Sequence, residues 1–233
     1  SHKIIAINFD VACVLYFASF FRRFHFIYEI HDTFSLSYNL PIIASKLIDF
    51  VDIKIRNNCC KVIHVDINRV SEKENNYIII ENSPLDYIQK KQINIFKQKN
   101  KNRFAVVGNL SKNRGLHSIM NFADNNPNVE VLIIGKVYDV YLNEIKNKKN
   151  IIFKDYMPQD ELFYHLLNCV AIFSLYDPSL PINRLAASNK LYDAMMLGKP
   201  IITNYDLKNS AFVKKNRIGF VINFNYDDSW DVL

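Results

Sequence analysis

The sequence has few cysteines and no long apolar run, and each shortage excludes a class of protein. Its four cysteines among 233 residues, two of them adjacent, fit neither a disulfide framework nor the paired spacing of a zinc site. The longest apolar stretch, residues 11–21, is shorter than the roughly 20 residues of a membrane-spanning helix. No segment reads as a signal peptide. We therefore expect a globular cytoplasmic protein that has no metal site and no membrane-spanning helix.

The charge balance is only mildly basic, with 29 Lys and Arg against 23 Asp and Glu. A nucleic-acid-binding protein normally concentrates its cations on one helix or stripe, beside exposed aromatic residues. Here the cations form only short runs such as residues 146–149. We therefore expect no nucleic-acid partner. The basic background is compatible with peripheral contact to an anionic membrane surface.

Short runs rich in Ile, Val and Phe alternate with amphipathic stretches, which is typical of βα units around parallel sheets. This pattern predicts an α/β fold with two Rossmann-like, doubly wound domains. The predicted boundaries are 1–85 for the first domain, 86–101 for a polar linker and 102–233 for the second domain. The elements predicted in the first domain are strands at 3–8, 26–31, 61–65 and 77–81, and helices at 11–23, 42–51 and 68–75.

The segment 106–116 has a strand, a glycine turn, a cation and a second glycine that opens a helix. Backbone N–H groups at a helix N-terminus together with Arg114 form a suitable phosphate site. The spacing from Gly108 to Gly115 matches neither a Walker A loop nor a dinucleotide fingerprint. A basic loop leading into a helix is the alternative interpretation.

The segment 188–202 begins a helix with Ser188 or Asn189 as its N-cap and carries Lys190 and Asp193 on one face. The helix N-terminus and Lys190 would hold a diphosphate, while the Asp193 carboxylate would accept hydrogen bonds from a ribose diol. A carboxylate near a helix start also stabilises the helix dipole. Both interpretations of Asp193 remain open from the sequence.

Together the two segments resemble the retaining GT-B glycosyltransferases of the family-4 type. The resemblance covers the second half of the chain and is most specific in Asn-Lys-Leu-Tyr-Asp-Ala-Met-Met-Leu-Gly-Lys-Pro-Ile-Ile. It implies that Asp193 binds the ribose of a nucleotide-sugar donor, without cofactor or metal. The residues implied to bind the donor diphosphate are Gly108, Asn109, Arg114, Asn189 and Lys190.

Two positions depart from the family pattern. Asn109 stands where an Arg usually follows the first glycine, so that diphosphate contact is either missing or supplied by Lys190. Leu185 stands where a second Glu usually contacts the donor sugar. A subfamily pattern with Asn-Lys before the ribose carboxylate is closer to this sequence.

The predicted strand at 26–31 ends in a His-Asp pair, and such residues at the carboxyl end of a parallel strand face the ligand crevice. In the family that this chain resembles, a His, often followed by Asp, lies beside the acceptor and the donor diphosphate. The resemblance therefore implies catalytic roles for His31 and Asp32. A structural histidine is the alternative.

The implied activity is transfer of a sugar from a nucleotide-diphosphate sugar to an acceptor hydroxyl in polysaccharide or glycolipid biosynthesis. A glycan or lipid-linked acceptor at the inner face of the membrane fits this activity. The alternatives are a nucleotide-sugar epimerase of the same fold and a catalytically degenerate binding module. The resemblance also implies that the first domain is incomplete, because relative to the family we expect the early N-terminal strands, and also the final C-terminal helices, to be absent.

Overall fold

A computed structural model describes residues 4–38, 40–70, 74–84 and 102–233. The chain divides into two compact units. The first contains Ser1–Asn82 and Leu180–Ala187, and the second contains Ser83–Ser179 and Ser188–Leu233. The predicted linker, 86–101, lies outside the described residues.

The first unit is built on a parallel sheet in the order β1-β2-β3-β4. Helix α1 begins at Asn8, three residues before its predicted start, and Asn8 has a φ of 62° at this strand-to-helix junction. The strands are β1 (Ile4–Ile7), β2 (Phe26–Ile30), β3 (Lys61–His64) and β4 (Tyr77–Ile79), and the helices are α1 (Asn8–Ser19), α2 (Phe34–Ser37) and α3 (Ile42–Asn58).

The helix predicted at 68–75 is wrong in the residues that the structure describes. A 3-10 turn spans Ile67–Arg69 instead. The Asp66 side chain accepts a hydrogen bond from the backbone N–H of Asn68, and this local side-chain bond competes with a continuing helix. Residue 74 onward is irregular until β4 begins.

A buried polar network connects α3 with β2, β3 and the segment before β4. The Tyr28 hydroxyl donates to Asp52 at 2.8 Å. Arg56 donates to Asp52 through Nε and Nη2, at 2.8 and 2.5 Å, and to Glu74 through Nη1 at 3.1 Å. His64 Nε2 lies 2.8 Å from the other Glu74 oxygen. The network thus pairs the charged side chains that are buried in the first unit.

These contacts shift the pKa values of the groups in the network. Burial, together with the neighbouring Asp52 carboxylate, raises the pKa of Tyr28 well above its ordinary value. Burial alone would raise the pKa of Glu74, but the hydrogen bond and charge of His64 and the charge of Arg56 outweigh burial and lower it. Glu74 is therefore held as a carboxylate.

The second unit has a six-stranded parallel sheet in the order β10-β9-β8-β5-β6-β7. Its strands are β5 (Arg103–Val107), β6 (Glu130–Ile134), β7 (Ile151–Lys154), β8 (Ala171–Phe173), β9 (Ile201–Asn204) and β10 (Gly219–Ile222). The helices that follow α3 along the chain are α4 (Leu116–Asn125), α5 (Asp139–Lys146), α6 (Gln159–Leu167), α7 (Pro181–Arg184), α8 (Asn189–Leu197) and α9 (Ser210–Asn216). Of these, α7 lies in the stretch of chain that belongs to the first unit.

Alternate residues of the second sheet pack into two separate cores. Phe104 and Val106 of β5 contribute to one core with residues of α4, whereas Ala105 contributes to the other with residues of α6 and α8. Successive side chains of a strand point to opposite faces, so both faces of this sheet are covered by helices. The predicted α/β class with parallel, Rossmann-like sheets is confirmed.

Candidate functional site

A cavity of about 340 Å³ opens at the carboxyl ends of β5 and β8 in the second unit. The sheet runs outward from β5 through β6 in one direction and from β8 through β9 in the other. In open α/β sheets, such a reversal of strand order is where ligands bind. The residues that line the cavity are Val106, Val107, Gly108, Asn109, Leu110, Arg114, Tyr156, Phe173, Ser174, Leu175, Tyr176 and Lys190.

The loop after β5 forms one wall, and two glycines allow it to pass close to other groups. Gly108 has a φ of +116°, and a Cβ built on it would lie 3.2 Å from the Lys190 ammonium. Gly135, after β6, has a φ of +129°, and a Cβ there would lie 2.3 Å from the Gly108 carbonyl oxygen. The absence of a side chain at Gly108 therefore allows the Lys190 ammonium to lie next to the loop backbone, and the absence of one at Gly135 leaves room for the loop itself.

Arg114 supplies the second cation of the cavity. It ends the 3-10 turn Lys112–Arg114, and its guanidinium carbon lies 4.0 Å from the centre of the Tyr176 ring. Its Nη1 is buried and has no hydrogen-bond partner among the described residues. A buried donor without a partner is costly, so this nitrogen is suited to a ligand acceptor.

The N-terminus of α8 is not capped by a side chain. Ser188 is the N-cap residue, but its side chain makes no capping hydrogen bond. Its Oγ instead lies 2.8 Å from Ser174 Oγ. Asn189 is exposed at the first helical position. The Leu191 N–H donates to the Ser188 carbonyl at 3.0 Å, but no side chain caps the helix start, which therefore suits an anion.

Asp193 is the fifth residue of α8, and the first turn of that helix contains no acidic residue. Its position therefore does not support the helix-dipole interpretation. Gln159 Nε2 donates to Asp193 Oδ1 at 3.3 Å. Burial raises the pKa of Asp193, while the Lys190 charge and the Gln159 hydrogen bond act in the opposite direction. Asp193 is not among the cavity-lining residues that the structure describes.

The predicted catalytic residues, His31 and Asp32, lie in the first unit and have separate partners. His31 Nε2 lies 2.8 Å from Glu29 Oε1. Asp32 pairs with Arg69 Nη1 at 3.0 Å, and the Arg69 Nε donates to the Leu185 carbonyl at 3.1 Å. The two side chains therefore do not pair with each other, and their catalytic roles stay predictions.

Sequence reasoning missed the two tyrosines of the cavity. Tyr156 follows β7 and is 81% exposed, whereas Tyr176 follows β8 and is buried. Their positions after the carboxyl ends of strands were a usable signal. The sequence does not indicate that Arg114 contacts the ring of Tyr176, because this contact depends on the fold of the β5 loop.

Within residues 4–38, 40–70, 74–84 and 102–233, no group of three or more His, Cys, Asp and Glu side chains has a metal-binding arrangement. In the same part of the chain, none of the helices combines the length and apolar character needed to cross a bilayer.

The part of the chain that contains the cavity is similar to a known protein family. Residues 88–231 match the family described as Glycosyl transferases group 1. No curated protein matches the chain significantly.

Several solved structures share the fold. HepE from Anabaena, solved in complex with UDP, is 17% identical with a TM-score of 0.67, over 98% of this chain and 66% of that one. Sucrose-phosphate synthase from Thermosynechococcus elongatus is 14% identical with a TM-score of 0.68, over 99% of this chain and 62% of that one. A glycosyltransferase from Rickettsia africae is 13% identical with a TM-score of 0.64, over 97% of this chain and 63% of that one. The chain thus spans less than two thirds of the length of these proteins.

Proposed function

This chain belongs to the glycosyl transferases group 1 family, and from that premise we propose that the protein transfers a sugar from a nucleotide-diphosphate sugar to an acceptor hydroxyl. The observation that carries the proposal is the charge of the cavity. Arg114 and Lys190 line it, and no carboxylate does among the described residues. It lies at the point of the sheet where ligands bind and beside an uncapped helix N-terminus, so it suits an anion with several oxygens.

The donor diphosphate is assigned to the residues around the two cations. Arg114 offers a planar fork of donors that matches phosphate oxygens, and Lys190 acts as a point charge. Backbone groups of the β5 loop and the start of α8 complete the site, with contributions from Gly108, Asn109 and Asn189. UDP bound by the structurally similar HepE supports a nucleoside diphosphate as the ligand class.

Asp193 is assigned to the ribose. It lies on the same helix as Lys190 and three residues further on, close enough for the two charges to interact. A carboxylate accepts two hydrogen bonds from a vicinal diol. The proposal therefore predicts that Asp193→Asn weakens binding of a ribonucleoside diphosphate more than binding of its 2′-deoxy form, which keeps only the 3′-hydroxyl as a donor.

The proposed mechanism develops negative charge on the leaving diphosphate, and Arg114 and Lys190 stabilise this charge in place of a metal. The family resemblance supports retention of the anomeric configuration and roles for His31 and Asp32 near the acceptor. It also supports a glycan or lipid-linked acceptor in polysaccharide or glycolipid biosynthesis, on the cytoplasmic side of the membrane.

Peripheral membrane contact is proposed through the C-terminal end of α1. Phe17, Phe20 and Phe21 are 51%, 67% and 91% exposed, and the exposed Arg22 and Arg23 follow. Aromatic side chains beside cations suit the interface of an anionic bilayer. Sedimentation with anionic vesicles, lost in the Phe20→Ser/Phe21→Ser double variant, would support this contact. Sedimentation that is equal with zwitterionic vesicles would contradict it.

The main experiment measures binding of UDP, GDP, dTDP and ADP, with CMP as a monophosphate, by calorimetry and thermal shift. One diphosphate should bind, and Arg114→Ala and Lys190→Ala should each weaken it by about 10- to 150-fold, the loss expected for charge-assisted hydrogen bonds. Lys112→Ala, an exposed cation of the same loop, is the matched control and should leave affinity unchanged. If the wild type binds no diphosphate, the proposal fails.

Turnover separates the remaining alternatives. The corresponding nucleotide sugar and an acceptor should yield free nucleoside diphosphate in proportion to glycosylated product. An epimerase would interconvert the sugar with no acceptor consumed. Binding without any turnover by the full-length protein would identify a degenerate module.

A further inference from the structure

The contact between Arg114 and Tyr176 leaves the arginine donors free. The guanidinium carbon lies over the Tyr176 ring at 4.0 Å from its centre, where the ring quadrupole attracts the cation. The hydrogen-bond donors of a guanidinium lie in its own plane. A ring that binds the cation through its face therefore consumes none of them, and the buried Nη1 still has no partner among the described residues.

Tyr176 is itself held at both of its backbone polar groups. Its N–H donates to Asn204 Oδ1 at 3.1 Å, and its carbonyl accepts from Asn204 Nδ2 at 3.1 Å. Asn204 ends β9 and is fully buried. Since β8 ends at Phe173, this amide replaces the strand pairing that would otherwise hold the Tyr176 backbone.

The loop that carries Arg114 is bound to the same segment. The backbone N–H of Asp177 donates to the Asn113 carbonyl at 3.0 Å. A Cβ built on Gly115 would lie 2.8 Å from Leu175 side-chain atoms, so the two segments pack closely. The residues before and after Arg114 therefore contact the residues after and before Tyr176, on either side of the ring contact.

From these contacts we propose that Tyr176 is a positioning residue, which holds the Arg114 guanidinium ready for the donor diphosphate. The inference rests on the proposed function. A free arginine side chain samples many rotamers, and restricting them before the ligand arrives removes that cost from binding. Tyr176 acts through Arg114, so its effect should vanish when the arginine is absent.

The test is a double-mutant cycle with whichever of UDP, GDP, dTDP or ADP the wild type binds, measured by calorimetry. Tyr176→Leu should weaken binding about 5- to 20-fold, within the range of cation–π interactions. Tyr176→Phe keeps the ring face and should stay within about twofold of wild type. In the Arg114→Ala background, Tyr176→Leu should cause no further loss. Far-UV circular dichroism checks that each variant is folded.

The outcomes separate the inference from the proposed function. No diphosphate binding by the wild type refutes both. If Arg114→Ala weakens binding but Tyr176→Leu does not, the donor site stands and the positioning role is refuted. An equal loss with Tyr176→Leu in both backgrounds would show that Tyr176 contacts the ligand directly, which also refutes positioning. If Tyr176→Phe binds the diphosphate as weakly as Tyr176→Leu does, the role of the ring face is refuted.

Discussion

Removing Arg56 should destabilise the first unit strongly, because this arginine neutralises two buried carboxylates. The Arg56 and Asp52 side chains are each 12% exposed, and Glu74 is 6% exposed. Arg56→Met keeps most of the apolar stem but leaves both acids without their cation. Breaking a buried ion pair by removing one partner costs about 3–5 kcal/mol. Tyr28 and His64 still contact the two acids, so we expect a loss of about 3 kcal/mol, the low end of that range.

The assay is urea unfolding followed by far-UV circular dichroism and by tryptophan fluorescence. The single tryptophan, Trp230, is buried in the second unit, so its fluorescence reports the unfolding of that unit. A dichroism transition without a matching change in fluorescence therefore belongs to the first unit. Arg23→Met, at an exposed arginine, is the control and should change stability by less than about 0.5 kcal/mol. A loss below about 1 kcal/mol in Arg56→Met would contradict this prediction, since two buried carboxylates would then have lost the arginine they share at little cost.

Three further predictions concern acid stability, backbone space and thiol reactivity. The lowered pKa of Glu74 adds stability that is complete above the pKa of an unfolded Glu, roughly 4.3, and is lost as pH falls through the folded value. Urea midpoints should therefore fall as the pH is lowered from about 5 to about 3, and less so in Glu74→Gln. Gly135→Ala should abolish diphosphate binding, because the added Cβ would lie 2.3 Å from the Gly108 carbonyl oxygen of the β5 loop. Gly198→Ala is the control and should retain binding, since its Cβ would have no atom within 4 Å. Equal affinities of the two variants would contradict this prediction. Brief alkylation followed by mass spectrometry should show that Cys60 is modified before Cys169. Cys60 is exposed, whereas burial raises the pKa of Cys169 to about 12. Modification of both thiols at one rate would be inconsistent with the fold.

The local sequence determined much of the second unit. As the segments 106–116 and 188–202 predict, a strand ends before Gly108 and helices begin at Leu116 and Asn189. Gly115 and Gly198, both in the left-handed region, flank these helices, and few other residues adopt that conformation easily. Apolar periodicity and glycine placement are local properties, so the order of elements, the α/β class and the family resemblance were all readable from the sequence.

The arrangement of the candidate site depended on contacts between distant segments. Arg114 and Lys190 were predicted on separate segments, and it is the reversal of strand order at β5 and β8 that brings both to one cavity. The pairing of Arg114 with Tyr176, and of Tyr176 with Asn204, joins three strand ends. No local pattern encodes such contacts, because they require the sheet order and the close approach that Gly108 and Gly135 permit. The types of side chain in the site are therefore readable from the local sequence, whereas the contacts between them depend on how distant segments pack together.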